Sequence, residues 1–154
     1  MRIGTLIIDT NLLILFVVGI TSRKYITIHK RLRHFCEQDF DILTQIVERS
    51  EQVCITPNTL TETSNLACYI EEPAKSEILT NLIKIVTSSV EVYIRSSDAV
   101  QGDYFIRLGL TDSVILNCLS SETTLLTADM DLFLAALNSG NKAVNFNHIR
   151  DKYL

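Results

Sequence analysis

The stretch TLIIDTNLLILFVVGI, residues 5–20, decides the fold. TLII at 5–8 is a short apolar run of the kind that forms a fully buried strand, and it ends on Asp9. TNLLILFVVGI at 10–20 is apolar at nearly every position, which predicts a helix buried on all sides, broken at Gly19 and the GITS cluster. The run is not a membrane span. Asp9 and Asn11 interrupt it, and the unbroken part, 12–20, falls far short of the roughly 20 apolar residues a spanning helix needs. An aspartate inside the run and the absence of a clear small-residue cleavage site argue equally against a secretory signal, so a cytoplasmic protein is expected.

Outward from this unit the pattern repeats. A basic helix is expected over 23–35 and a more acidic one over 37–50, with Asp39 as its cap. QVCIT (52–56) reads as a strand closed by Pro57, which opens a helix over 57–70. Further helices are expected over 71–89, over 97–109 with Gly102 inside it, over 111–121 and over 129–140, the last stopped by Gly140. Strands are expected over 90–94, 123–128 and 143–146, with a turn or helix over 147–153. Strands alternating with helices predict a three-layer α/β fold with a mostly parallel central sheet, in which ligands bind beyond the carboxyl ends of the strands.

The chain's 154 residues suit one domain, 1–154, and 47% hydrophobic residues without tryptophan point to an aliphatic core and exclude disorder. Cys36, Cys54, Cys68 and Cys118 are widely spaced with no C-x-x-C pair, against a zinc or thiol-redox site. They read as buried or half-buried free thiols of a reducing compartment. His29, His34 and His148 are scattered and suggest no ligand set. The net charge of −4 is uneven: residues 1–35 carry six Lys/Arg against Asp9 alone, and the rest carries eight against seventeen acids. Arg23, Lys24, Lys30, Arg31 and Arg33 therefore form a local basic segment, either a solvated face or a surface for phosphates or an acidic partner.

Five acids share an address if the strands are parallel. Asp9 ends the first strand; Asp129 and Asp131 follow the strand TLLT; Glu62 lies about one and a half turns into the helix after the second strand; Asp112 sits in the first turn of TDSVILNCL. Each has an ordinary alternative role as a cap, a first-turn charge or an exposed helix residue. Brought together, they repel and raise one another's pKa, which a cation relieves. Oxygen-only donors suit a hard ion, Mg²⁺ or Mn²⁺, and such an ion serves in-line attack of water on a phosphodiester.

LIIDTNLLI, TPNTLTETSNL, GLTDSVILNCLSSETTLLTADMDLF and the trailing AVNF resemble, in order and over most of the chain, the successive motifs of the PIN domain family. These are metal-dependent nucleases that include VapC-type toxin ribonucleases. The resemblance implies an α/β/α sandwich, with Asp9, Glu62, Asp112 and Asp129 as the acidic quartet, Asp131 as an auxiliary acid, and Asn11 and Thr127 as supporting polar groups. It implies a Mg²⁺- or Mn²⁺-dependent endoribonuclease that leaves 5′-phosphate and 3′-hydroxyl ends, acting as a toxin, defence effector or RNA-processing factor. The basic segment would then hold RNA backbone or dock a cognate antitoxin or other regulatory protein. The alternatives are a non-catalytic PIN-like module that binds RNA or protein, and a phosphatase using Asp9 as nucleophile; the latter wants an acid where Asn11 stands. The apolar helices containing NLLILFVVGI and LIKIV fit either a homodimer or the core.

Overall fold

The structure is a computed structural model and describes residues 2–153. Strand β1 (Ile3–Ile8) leads into α1 (Thr10–Thr21), α2 (Arg23–Ile26) and α3 (Glu37–Glu48); β2 (Ser50–Ile55) leads into α4 (Pro57–Ala67) and α5 (Ala74–Ser88). Then come β3 (Val90–Glu91), α6 (Ser96–Ala99), α7 (Phe105–Leu108), α8 (Leu110–Cys118), β4 (Thr123–Thr127), α9 (Met130–Asn138), β5 (Lys142–Asn145) and α10 (Phe146–Arg150). The five strands make one sheet in the order β3-β2-β1-β4-β5, every pairing parallel. The sheet lies between two helical layers, the three-layer α/β/α arrangement expected from the alternation.

Because side chains alternate across a strand, each central strand feeds both layers. Leu6 and Ile8 of β1 and Leu126 of β4 join the larger core with α1, α3, α4 and α5, while Ile7 and Leu125 join the smaller one with Ile115 of α8 and Leu132 of α9. Helix α1 is apolar all round because it is surrounded: Leu12, Leu13, Ile14, Leu15, Val17 and Val18 are all buried. Most of its apolar surface is consumed inside the fold, while Ile20 near its end is 42% exposed. Gly19 lets α3 approach closely, since a Cβ there would overlap the Phe40 ring. Gly140 stops α9 as expected. It has φ +78° and closes a Schellman pair, its N–H donating to the Leu137 carbonyl (3.0 Å) and that of Asn141 to Ala136 (3.0 Å). Among the described residues no helix is long and apolar enough to cross a membrane.

Five expectations are corrected. The helix expected over 23–35 stops at Ile26. Beyond it the chain runs in turns, pinned by buried Leu32 and by His29, whose ring bonds the Ala67 carbonyl (3.0 Å) and the Arg31 N–H (3.1 Å). Side-chain bonds of this kind give the backbone an alternative to helix. The helix expected over 97–109 divides into α6 and α7 around Gly102, whose place inside a helix would cost about 1 kcal/mol. Strand β3 keeps two residues of an expected five, because it lies at the sheet edge and has only β2 to pair with. Asp39 is not the cap residue of α3. Cys36 is, and Asp39 returns a bond to the Cys36 N–H (2.8 Å) while pairing, nearly fully buried, with Arg150 (2.6 Å). All four cysteines are free, as expected, but Cys36 is exposed rather than buried or half-buried.

Candidate active site

Strand β1 has β2 on one side and β4 on the other, so the connections diverge at the β1/β4 junction, where a doubly wound sheet opens its ligand crevice. Asp9 leaves β1 and Asp129 follows β4 at that junction. Each is the N-cap of the next helix. Asp9 Oδ1 accepts from the Leu12 N–H (3.2 Å) and Asp129 Oδ1 from the Leu132 N–H (3.1 Å). Thr127, fully buried, joins them: its hydroxyl donates to Asp9 Oδ2 and accepts from the Asp129 N–H (2.9 Å). The Ala128 N–H adds a further bond to Asp9 Oδ2 (3.3 Å).

The other two acids arrive on helices. Gly109, at φ +85°, turns the chain from α7 into α8 and sets Asp112 in the first turn, half-buried. Few residues other than glycine adopt that φ cheaply. Glu62 stands on α4, exposed, and takes one hydroxyl bond from each neighbouring helix start: Thr10 Oγ1 to Oε2 (3.2 Å) and Thr111 Oγ1 to Oε1 (2.7 Å). These two threonines were not among the expected site residues. Their signal in the sequence is adjacency, D-T at 9–10 and T-D at 111–112.

Electrostatics tie the four together. Burial pushes the Asp9 carboxyl up to about 6, against the lowering effect of its bonds from Thr127, Leu12 and Ala128, and the charge of Asp129 raises it further. Asp112 is pushed up to about 7, first by burial and then by the charges of Asp129, Asp9 and Glu62. No cationic side chain contributes to either shift. The quartet is thus an uncompensated set of oxygen donors, the environment that suits a hard divalent cation. Among the described residues no three such groups close into a cage. Of the four, Glu62 lines an open groove with Pro57, Asn58, Thr61 and Thr111. Asp131 lies exposed in the first turn of α9, outside the set of charges that act on Asp112.

The basic residues separate. Arg23 is engaged by Asp41 (3.0 Å to Oδ2) and lies 3.7 Å from Glu37. Lys24 is exposed on α2. Lys30, Arg31 and Arg33 instead line a cleft of about 440 Å³ that also takes in Asn11, so Asn11 belongs to this wall. The groove that Glu62 and Thr111 line with Pro57, Asn58 and Thr61 is separate from this cleft. Of the histidines, His29 is structural and His148 meets the edge of Phe133. Comparison of the chain with protein-family models, curated proteins and solved structures finds no significant match.

Proposed function

We propose that the protein is a metal-dependent endoribonuclease of the PIN type. The observation that carries this reading is the convergence of Asp9, Glu62, Asp112 and Asp129, from four separate segments, at the carboxyl edge of the sheet beside its switch point. The order of motifs along the chain supports it from the sequence side. The phosphatase alternative loses ground, since Asn11 stands two residues after Asp9 where that chemistry wants an acid.

Asp9, Asp112 and Asp129 would hold Mg²⁺ or Mn²⁺, with Glu62 at the rim and Asp131 reaching it only through water. When bound, such an ion supplies Lewis-acid stabilisation of phosphoryl charge and makes water a better nucleophile at neutral pH. The chain's own part is orientation. Thr127 and the two helix caps fix the Asp9 and Asp129 carboxylates, and Thr10 and Thr111 fix Glu62 between α1 and α8. A setting as a toxin or defence effector controlled by a partner protein follows from the resemblance alone.

The test is incubation of a total RNA pool with and without Mn²⁺, comparing wild type with Asp112→Asn and mapping the cut ends. Mn²⁺-dependent cleavage leaving 5′-phosphates, lost in the variant, is the expected result. RNA binding without cleavage would favour a non-catalytic PIN-like module, and unchanged cleavage by the variant would remove the assigned site.

A further inference from the structure

We infer that the cleft beside the carboxylates is a binding site for nucleotide phosphates, which seats the RNA strand next to the phosphate facing Asp9 and Asp129. The inference takes the identity of its occupant, RNA, from the nuclease reading above. Its geometry stands apart from that reading.

The cleft's wall is built rather than incidental. Between residues 29 and 34 the chain alternates anchors and charges: His29 and Leu32 are 1% exposed, while Lys30, Arg31, Arg33 and His34 point outward. From the other side Arg150 bonds the His34 carbonyl (2.7 Å) and the buried Asp39, which holds the segment in place. No acidic side chain lines the cleft, and among the described residues no carboxylate lies within ion-pair distance of Lys30, Arg31 or Arg33. On a chain of net charge −4, three unpaired cations around a volume of about 440 Å³ make a local anion site large enough for a small ligand.

The cleft and the acids share residues. Ala128 lines the cleft, its N–H bonds Asp9, and its carbonyl accepts from Asn147 Nδ2 (3.0 Å), another lining residue. Whatever anion the cleft holds therefore lies one residue from the carboxylate edge. Phe35 of the wall has one face taken by Arg150, which lies over its ring (5.1 Å to the centroid), and Phe146 packed beside it at a tilt. The contacts on offer are mainly cations and amides, with the exposed ring of His34 beside them, and cations and amides read phosphate and sugar rather than sequence. Phosphate thus matches the cleft better than an acidic peptide, which would also ask for side-chain pockets.

The experiment measures binding of a short fluorescent single-stranded oligoribonucleotide to the full chain in chelator, across a salt series. It compares wild type, the triple variant Lys30→Gln/Arg31→Gln/Arg33→Gln, and Lys84→Gln as an exposed cation elsewhere. Because the three positions are exposed, a melting curve for each variant is expected to match wild type. The triple variant should bind roughly tenfold or more weakly at low salt, with a salt slope shallower by about 2, and Lys84→Gln should bind like wild type. A 5′-phosphorylated oligonucleotide held more tightly than its 5′-hydroxyl form identifies a terminal phosphate as occupant; equal binding identifies an internal one, and either supports the site. An unchanged slope in the triple variant overturns it. So does a polyglutamate peptide bound as tightly as RNA and lost in the same variant, which would assign the cleft to an acidic protein. Binding that depends on the cleft without cleavage in Mn²⁺ breaks the nuclease reading alone; cleavage with binding indifferent to the cleft breaks this inference alone.

Discussion

Asp9 and Asp129 each follow a strand and cap the helix they precede, whereas Asp112 and Glu62 sit within helices and cap nothing. The first pair is tied to backbone N–H groups and to Thr127, so these two carboxylates hold up the fold as well as the site. The second pair has only threonine hydroxyls on Glu62, and the structure records no hydrogen bond to the Asp112 carboxylate among the described residues. A position whose carboxylate repels its neighbours and bonds nothing is costly to keep, and a ligand that binds carboxylates accounts for it. Folding and the proposed function are therefore merged in one half of the candidate site and separable in the other.

The sharpest way to break this contrast is to neutralise one acid from each half. On the proposed reading, Asp112→Asn and Asp129→Ala should each reduce RNA cleavage by about a thousandfold or more, since each would remove several kcal/mol of metal-mediated charge stabilisation. Their melting behaviour in chelator should diverge: Asp129→Ala loses a helix cap and about 1 kcal/mol, while Asp112→Asn at pH 8 gains stability. Equal destabilisation of both would erase the distinction.

Next in size is Thr127→Val, which leaves the Asp9 carboxylate and the Asp129 N–H without their shared hydroxyl. A loss of about 1–3 kcal/mol is expected on denaturant titration, with cleavage impaired although no proposed metal ligand is changed. Thr127→Ser should restore both.

The pH dependence of the metal-free protein follows from the raised carboxyls. Asp9 and Asp112 hold their protons to about pH 6 and about pH 7 in the folded state, against 3.8 as their ordinary value. The folded state therefore binds protons that the unfolded chain has released, and the stability present below pH 4 is lost as pH rises through 6–7. In chelator the protein should be less stable at pH 8 than at pH 5.5, by about 1–2 kcal/mol once solvent screening of half-buried Asp112 is discounted. Mn²⁺ should restore stability at pH 8, and Asp112→Asn should flatten most of the slope. The last effect expected is that of Gly109→Ala. At φ +85° and ψ −179° with open space around it, the methyl group meets no clash but strains the backbone by about 1–3 kcal/mol, and a weakened Mn²⁺ response would reveal the shift of Asp112.

What the sequence disclosed follows the same division. Asp9 and Asp129 were legible because strand end, cap and helix start are contiguous in the chain, and the parallel sheet followed from the alternation of apolar runs. The clamp on Glu62 was not, since Thr10 lies 52 positions away and Thr111 lies 49. The turns at 27–36 were hidden for a similar reason: the basic spacing there mimics a helix face, and what prevents a helix is a bond from His29 to Ala67, 38 residues on. Asp39 reads as a helix cap because its partner, Arg150, stands 111 residues away.

His29 carries one more consequence. The Arg31 N–H can only donate, so Nδ1 of the imidazole accepts, and the single ring proton sits on Nε2, directed at the Ala67 carbonyl. One tautomer is thereby selected, and a second proton has no room: placed on Nδ1, it would face the Arg31 amide. Burial, together with the charge of Arg31, lowers the tendency of the ring to take that proton, although the bond to Ala67 opposes this. Acid is thus the condition that releases Arg31 from its anchor, and the wall that carries Lys30, Arg31 and Arg33 depends on an imidazole that stays uncharged.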